Sequence, residues 1–387
     1  MNASPAPTDA GEVIRRHSRS FSLAAKLLAP EQRRRAELLY AWCRTADDAV
    51  DRATSPAGAA EALEALRAEV RWVYEGGTPD APTGLALAEV VAQCGLPQCY
   101  PDELLDGMAM DIGDADCATE AELLVYCHRV AGVVGLMMCH ALGVADDAAL
   151  APAAYLGIGM QLTNIARDVA EDRERGRRYI PSDWLAVVPT PGDPLDDAIY
   201  APAVERLLAL ARRYDDAGRA GLKYLDRRSG LGVRVASAVY GAIGDVLAAR
   251  GHRVSMGRAV VSRGHKLRLL ARSAVETAFA KHPRQVRLPG KLWAFVPLSG
   301  SELTGGLDMK SNREAFYLMT FALALTLLMG TGLFVMVGLN PNRESFGNLP
   351  WVYAGLSLAG SVVLWVISGR LAVPANRVAE TKVISAE

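Results

Sequence analysis

The chain has 387 residues, 42 Lys and Arg against 43 Asp and Glu, a formal net charge of −1 and 51% hydrophobic residues. This apolar content excludes a disordered chain, and the balanced charge argues against a nucleic-acid-binding protein. The 6 cysteines form no Cys-x-x-Cys pair and are too few for a disulfide scaffold, so we expect neither disulfides nor structural zinc. No secretory signal peptide is recognisable, so we expect the bulk of the chain in a reducing cytoplasm.

The first three quarters of the chain have the pattern of amphipathic helices. Residues 1–11 are interpreted as a disordered tail, and from residue 12 to about 285 apolar residues recur at three- and four-residue spacing. In the segment 61–73, EALEALRAEVRWV, four apolar residues fall on one helical face: Leu63, Leu66, Val70 and Val73. No segment alternates convincingly with period two. The sequence therefore predicts an all-α domain of roughly ten helices over residues 12–285.

The last quarter of the chain contains two long uncharged runs, residues 316–338 and 350–368. The first has 23 residues, and at about 1.5 Å per residue it would span about 34 Å, enough for a hydrocarbon core of about 30 Å. Basic residues outside the two runs outnumber those in the connector, which has only Arg343, offset by Glu344: Lys310, Arg313, Arg370, Arg377 and Lys382.

We therefore predict a linker over residues 286–315, a transmembrane hairpin over 316–370 and a cytoplasmic tail over 371–387. The positive-inside rule places both ends of the hairpin, and hence the helical domain, in the cytoplasm. The alternative for the two runs is a pair of buried core helices.

The segment YAWCRTADDAVD, residues 40–51, contains a pair of aspartates at helical spacing. Asp47 and Asp51 are four residues apart, so their carboxylates project from one face about 5–6 Å apart at Cβ. Such like charges destabilise a helix unless a cation lies nearby, and Arg44 one turn earlier offsets part of the repulsion. The arrangement suits Mg²⁺, which prefers oxygen ligands. By itself the pattern is also typical of a solvated acidic helix face.

The segment 161–181, QLTNIARDVAEDRERGRRYIP, repeats this spacing and extends it. One polar stripe contains four residues: Gln161, Asn164, Asp168 and Asp172. Two acidic stripes on separate helices can face each other across a central cavity, and with bridging Mg²⁺ they could bind a diphosphate and stabilise it as a leaving group. The matched pair favours such a site over solvated helix faces. Four arginines follow that could form a flap over the diphosphate or a solvated or membrane-facing patch: Arg173, Arg175, Arg177 and Arg178.

Two further segments contain candidate binding residues. His17, Phe21 and Ala25 follow at four-residue steps and are predicted to share one helical face; His17 with Arg44 could contact phosphate oxygens, and the small Ala25 would leave a tunnel deep. Tyr126 precedes Gly132 and Gly135, each of which costs about 1 kcal/mol relative to Ala in a helix. These glycines indicate close approach of a ligand or of another helix. Tyr126 could present its hydroxyl to a reacting centre or be an ordinary buried tyrosine.

Four ordered motifs together resemble the squalene/phytoene synthase family, with the closest likeness to its phytoene synthases, over about residues 12–285. They are the HSxSF segment from His17, the segment from Tyr40, the YCHRVAGVVG segment from Tyr126, and residues 161–181. The resemblance implies an isoprenoid synthase fold with a central cavity. It also implies head-to-head condensation of two geranylgeranyl diphosphates, through prephytoene diphosphate, to phytoene. Mg²⁺ is the implied cofactor, with Mn²⁺ as an alternative, and no NADPH is expected.

The resemblance also implies roles for individual residues. The metal ligands would be Asp47, Asp51, Asn164, Asp168 and Asp172. Arg44 and Tyr126 would join the four aspartates in catalysis, and Asp48 would assist. Substrate would be bound by His17, Phe21, Ala25, Gln161, Asn164, Tyr240 and Arg258. A small residue at Ala25 implies the longer C20 substrate.

Several alternatives stay open at this stage. A carboxyl-terminal anchor is familiar from eukaryotic squalene synthases, so squalene or dehydrosqualene synthesis from farnesyl diphosphate is the first alternative. The others are a chain-elongating prenyltransferase or terpene cyclase, and a non-catalytic, membrane-anchored assembly protein of the same fold. We expect the hairpin to bind the membrane and only to localise the enzyme, with neighbouring isoprenoid and carotenoid enzymes as candidate partners.

Overall fold

The structure of the protein, a computed structural model, describes residues 10–112, 116–190 and 192–279. These residues form helices and their connections, and the one extended pairing among them is a bridge between Asp116 and Arg178. The prediction of an all-α fold is confirmed for this part of the chain. The predicted linker at 286–315, the two predicted spans and the predicted tail at 371–387 lie outside the described residues.

The described residues contain 12 α-helices. The first six are α1 (Ala10–His17), α2 (Arg19–Ala25), α3 (Pro30–Asp51), α4 (Pro56–Tyr74), α5 (Pro82–Cys94) and α6 (Cys99–Ala109). A π-helical turn, His128–Gly132, joins the next two into one run. The remaining six are α7 (Glu120–Cys127), α8 (Val133–Ala141), α9 (Leu150–Glu174), α10 (Asp197–Arg219), α11 (Arg227–Ala249) and α12 (Arg263–Phe279).

Local sequence explains where many of these helices begin. Pro30, Pro56 and Pro82 stand in the first turns of α3, α4 and α5, where a missing backbone N–H leaves no helical hydrogen bond unmade. Asp226 caps α11, because its Oδ1 accepts the backbone N–H groups of Arg228 at 2.8 Å and Ser229 at 3.1 Å.

The amino-terminal segment differs from the prediction at Ser18. The backbone of Ser18 is extended, with φ −142°, and its hydroxyl accepts the backbone N–H of Phe21 at 3.2 Å. Ser18 therefore caps a new helix, α2, after α1 has ended at His17. The prediction that His17 shares one helical face with Phe21 and Ala25 is wrong for this reason, although Phe21 and Ala25 do lie together on α2.

Helix α9 lies at the centre of the domain and packs against α7, α8, α10 and α11. One apolar cluster joins α7, α9, α10 and α11, and includes the fully buried Leu123, Leu162 and Leu207. A second cluster joins helices α3 to α6 with α8, and includes the fully buried Trp42 and Leu105. The core is therefore in two parts.

Glycines let α9 cross the α7–α8 run at short distance. A Cβ atom added to Gly135 would lie 2.2 Å from the carbonyl oxygen of Ala153, and one added to Gly157 would lie 2.1 Å from that of Ala131. No real side chain tolerates such distances to a backbone atom. Close helix crossing therefore explains Gly135, while Gly132 lies against Ile158 of the same crossing.

Two helical segments within the described residues are long and apolar enough to cross a membrane. They are Glu120–Ala141, which is the α7–α8 run, and Arg227–Ala249, which is α11. In each, 56% of the apolar stretch is buried inside the domain, and both pack on α9. They give only weak support for membrane association, because core helices have the same length and hydropathy.

Candidate active site

A cavity of about 720 Å³ lies within the helical domain and is lined by residues of both apolar clusters. On α9 the lining runs from Asp172 to Ala153, which corresponds to about 28 Å along the helix axis. On α3 it runs from Asp51 to Ala36, or about 22 Å. Both helices therefore place their acidic carboxyl-terminal turns at one end of the cavity and apolar residues along the rest.

The two aspartate pairs, Asp47 with Asp51 and Asp168 with Asp172, all line this cavity. Burial, with a further contribution from the Asp51 charge, raises the pKa of Asp47 to about 6. Burial, with a contribution from Asp168, raises the pKa of Asp172 to about 7. Crowded, partly dehydrated carboxylates resist ionisation in this way, and the neighbouring arginines offset only part of the rise in pKa.

Guanidinium groups surround the carboxylates. Arg44 Nη1 lies 2.8 Å from an oxygen of Asp47, and Arg177 Nη2 lies 2.6 Å from one of Asp51. Arg258 lies 3.3 Å from Asp168. The acidic end of the cavity thus holds donors that could bind phosphate oxygens as well as acceptors that could bind metal.

Two further charged residues of the cavity lining, one basic and one acidic, were not predicted. Arg167 donates through Nε to Asp168 at 2.7 Å and through its Nη2 to the other oxygen, and only 14% of its side chain is exposed. Glu171 accepts from Arg258 at 3.1 Å. Both lie within the segment 161–181. The charged residues on either side of Asp168 were therefore the sequence signal that could have identified them.

The residue Asp111, in the turn after α6, supplies a further carboxylate to the cavity. Its Oδ1 accepts the hydroxyl of Tyr179 at 2.6 Å and its Oδ2 that of Tyr126 at 3.2 Å. The two phenol rings stack with centroids 4.5 Å apart. Burial raises the pKa of Asp111, while the hydrogen bond from Tyr179 and the charge of Arg177 oppose the rise. The sequence reasoning missed both Asp111 and Tyr179.

Asp111 interacts electrostatically with aspartates of both acidic stripes. Its charge contributes to the raised pKa values of both Asp47 on α3 and Asp172 on α9, and the charge of Asp51 contributes to its own. Such interactions require the groups to lie close together. The structure therefore brings the two acidic stripes to one end of the cavity.

The amides and aromatic rings that were predicted also lie here. The side-chain nitrogen of Asn164 donates to Gln161 Oε1 at 3.2 Å. The buried Oδ1 of Asn164 has no hydrogen-bond partner among the described residues. The ring of Phe21 lies 6.0 Å from that of Tyr40 and 5.8 Å from that of Tyr240. These rings begin the apolar part of the cavity.

The donor set fits Mg²⁺ or Mn²⁺ between the two stripes. The unpartnered oxygen of Asn164 and the carboxylates of Asp47 and Asp172, whose pKa values are raised, are all oxygen ligands of the kind that Mg²⁺ prefers. Within the described residues no three acidic, His or Cys side chains converge enough to hold a metal by themselves. This also fits Mg²⁺, which usually takes one or two carboxylates and completes its shell with water and substrate phosphate.

Small side chains line the apolar part of the cavity. Ala25 is only 5% exposed and lines it beside Ala24. The backbone of Ala24 approaches Gly232, which is eight residues, or about 12 Å, from Tyr240 along α11. Leu142 and Leu222 belong to the same lining. Ala25 therefore lies well away from the carboxylates.

The structure places all the predicted site residues in the cavity lining except His17 and Asp48. The side chain of His17 lies outside the described part of the structure, so its phosphate contact stays a prediction. Asp48 does not line the cavity: it pairs with Arg52 at 2.8 Å and with Arg44.

The basic cluster after α9 divides between two places. Arg175 and Arg177 line the cavity beside Asp51. Arg173 instead donates to backbone carbonyls of Pro194 and Thr190, at 3.2 and 3.3 Å, and Arg178 pairs with Asp116. Only half of the cluster is therefore available to bind a ligand in the cavity.

Comparison with known proteins identifies the family. The squalene/phytoene synthase family model matches residues 14–265. The chain is 36% identical over 282 residues to a 15-cis-phytoene synthase of a Paracoccus species, covering 70% of this chain and 92% of the relative. It is 34% identical over 305 residues to a phytoene synthase of Pseudescherichia vulneris, covering 76% and 99%.

A solved structure agrees with these relatives. A crystal structure of a dehydrosqualene synthase in complex with ligand matches with a TM-score of 0.64 and 26% identity, and the match covers 70% of this chain and 95% of that one. Sequence motifs, helical fold and cavity lining thus point to the same group of enzymes, and the chain belongs to the squalene/phytoene synthase family.

Proposed function

We propose that the protein is a phytoene synthase, which joins two molecules of geranylgeranyl diphosphate head to head and releases two diphosphates. The observation that carries this proposal is the convergence of two aspartate pairs at one end of a long apolar cavity. It is supported by phytoene synthases among the relatives at 34–36% identity.

The acidic end of the cavity supplies the groups that bind and activate diphosphate. Asp47, Asp51, Asp168 and Asp172, with the free oxygen of Asn164, would hold Mg²⁺, which when bound stabilises the charge of a leaving diphosphate as a Lewis acid. Arg44, Arg177 and Arg258 would bind the phosphate oxygens by charge-assisted hydrogen bonds.

The reaction proceeds through two ionisations. The first diphosphate leaves and an allylic cation forms, and the C2–C3 double bond of the second substrate attacks this cation to give prephytoene diphosphate. Loss of the second diphosphate, ring opening and loss of a proton give phytoene. No electron pair is taken up in this sequence, so NADPH is not required.

The apolar end of the cavity shields the cations from water and limits the length of the prenyl chain that fits. Phe21, Tyr40 and Tyr240 place aromatic rings between the carboxylates and the deeper cavity, where they exclude water from the reacting carbons. The methyl side chain of Ala25 leaves room at depth. This favours a C20 over a C15 prenyl chain.

The test is a product assay with full-length protein in detergent. Geranylgeranyl diphosphate with Mg²⁺ and without NADPH should give a C40 hydrocarbon by mass spectrometry. Farnesyl diphosphate, with and without NADPH, is the parallel arm. Product from farnesyl diphosphate alone would contradict the proposal and indicate squalene or dehydrosqualene synthesis, distinguished by the need for NADPH. No product from either would favour a non-catalytic assembly protein.

The predicted hairpin at 316–338 and 350–368 extends the proposal to localisation. Two uncharged runs flanked by basic residues support a membrane anchor that leaves the catalytic domain in the cytoplasm, near enzymes that make the prenyl diphosphate or use the hydrocarbon. Deleting residues 310–387 should move the protein from the membrane to the soluble fraction with most of its activity kept. Activity below about a tenth of the full-length value in detergent would contradict a purely localising role.

A further inference from the structure

The carboxylate of Asp111 differs from the aspartates of the two predicted metal-binding pairs in the kind of donor it has: tyrosine hydroxyls donate to both of its oxygens, whereas guanidinium groups donate to Asp47, Asp51 and Asp168. Tyr179 donates to one oxygen at 2.6 Å and Tyr126 to the other at 3.2 Å. Asp47 and Asp172, in contrast, have neighbouring carboxylates that add to the rise in pKa caused by their burial.

Asp111 also has a cation nearby. Arg177 lies 2.6 Å from Asp51, and its charge opposes the burial that raises the pKa of Asp111. Two phenol donors on its oxygens and a nearby guanidinium favour the carboxylate form of Asp111 and oppose the burial that raises its pKa. Asp111 therefore has the surroundings of a fixed acceptor.

The consequence falls on Tyr126. A phenol has one proton to donate and oxygen lone pairs to accept with. When that proton is donated to Asp111, it is not available to a diphosphate oxygen. Tyr126 lines the cavity, so its oxygen keeps lone pairs with which it can accept there, and the hydrogen bond to the carboxylate increases the electron density of that oxygen.

We propose that Asp111 is a positioning residue, which binds the hydroxyl protons of Tyr126 and Tyr179 so that the Tyr126 oxygen is held as an acceptor of positive charge. The preorganised dipole would stabilise the cations formed when diphosphate leaves. Tyr179, with the shorter hydrogen bond and a ring stacked on Tyr126, fixes the orientation of the pair. No bond to Tyr126 forms or breaks. This inference rests on the proposed function.

The test is a double-mutant cycle on the rate of C40 hydrocarbon formation and of diphosphate release by the full-length protein. Asp111→Asn keeps the shape of the side chain but can turn a donor toward Tyr126, and Tyr126→Phe removes the hydroxyl. We expect each to lower kcat about tenfold or more with KM within about twofold of wild type. The kcat of the double variant should be no more than about twofold below that of the less active single variant, because both substitutions remove the same interaction.

Two results would overturn the proposal. One is multiplicative losses in the double variant, which would mean that Asp111 acts independently of Tyr126. The other is a raised KM with unchanged kcat in Asp111→Asn, which would make Asp111 a ligand-binding group. The control is Asp106→Asn on α6, whose carboxylate pairs with Arg67 at 2.6 Å outside the cavity and which should retain wild-type kcat and KM.

A second variant covers the case in which Asp111→Asn does not fold. Tyr179→Phe keeps both Asp111 and Tyr126, so it should retain at least about a third of the wild-type kcat while Tyr126→Phe loses about tenfold. Equal losses of kcat in the two variants would contradict the assignment of Tyr126 as the hydroxyl that stabilises the cations. If the wild type itself makes no hydrocarbon, the proposed function fails; if the wild type is active and the cycle is multiplicative, only the role of Asp111 fails.

Discussion

Arg177 and Asp51 form an ion pair of 2.6 Å that joins the segment after α9 to the last residue of α3. Only 16% of the Arg177 side chain and 23% of the Asp51 side chain are exposed, so water screens the pair less than it would at the surface. Both residues line the acidic end of the cavity. The ion pair also places a guanidinium where a diphosphate bound at Asp51 would lie.

The first prediction concerns the substitution Arg177→Gln. It should raise KM for the prenyl diphosphate about tenfold or more, since a hydrogen bond to a charged group contributes about 1.5–3 kcal/mol. Steady-state kinetics with varied substrate at saturating Mg²⁺ measures the effect. The matched control is Arg173→Gln, because Arg173 donates to backbone carbonyls outside the cavity. Equal KM values for the two variants would remove Arg177 from the diphosphate site.

The second prediction is a pH-dependent stability of the metal-free protein. The pKa values of Asp47 and Asp172, about 6 and about 7, lie above the unfolded value of about 3.9. The folded state thus holds these protons more tightly, so their stabilisation is present below about pH 4 and is lost as pH rises through 6 and 7. Mg²⁺ competes with protons for the carboxylates, so added Mg²⁺ should raise Tm more at pH 8 than at pH 5.5.

Thermal unfolding of the full-length protein in detergent, with chelator or with Mg²⁺ and pyrophosphate, tests this. The comparison variant is Asp172→Asn, which cannot ionise at this position. It should have a higher Tm than wild type at pH 8 in chelator and a smaller response to Mg²⁺. The same Mg²⁺ response in wild type at both pH values would show that these carboxylates do not bind the metal.

The acidic stripes were predictable because their signal is local. Asp47 with Asp51 and Asp168 with Asp172 are four residues apart, and helix geometry alone puts each pair on one face. Asp111 has no such neighbour. Its partners Tyr126 and Tyr179 are 15 and 68 residues away in sequence, so only tertiary packing brings them together.

The break between α1 and α2 shows a different kind of failure. A four-residue periodicity from His17 to Ala25 looks like one continuous helical face, but Ser18 satisfies the N–H of Phe21 and begins a new helix. That cap is a local signal, which the periodicity obscured. The sequence alone does not say whether a ligand or a neighbouring helix approaches the glycines of the α7–α8 run. In the structure the backbone of α9 crosses there.

The third prediction tests how Ala25 sets substrate length. Ala25→Phe should fill the apolar part of the cavity, because the Ala25 side chain is buried and belongs to the cavity lining. We expect kcat/KM for geranylgeranyl diphosphate to fall about tenfold or more, within the range a pocket achieves by excluding extra carbons. Use of farnesyl diphosphate should change less, and this substrate is the internal control. Equal losses of kcat/KM on both substrates would mean that the substitution damages the site in general and that Ala25 does not set the chain length.

The last prediction concerns the close crossing of α9 and the α7–α8 run. Gly157→Ala would place a Cβ atom 2.1 Å from the carbonyl oxygen of Ala131, so the two backbones must separate. We expect a loss of about 1–3 kcal/mol of stability, the usual cost of overpacking. The matched control is Gly241→Ala on α11, where an added Cβ has no atom within 4 Å and φ is helical. That substitution should raise stability by about 0.5–1 kcal/mol, because alanine loses less conformational freedom in a helix. Chemical denaturation of the two variants and the wild type measures both changes.

Because Gly157 also lines the cavity, the crossing couples stability to cavity shape, and Gly157→Ala should lose activity at temperatures where it is still fully folded. If Gly157→Ala were as stable and as active as Gly241→Ala, the two helices could not cross as closely as the structure has them.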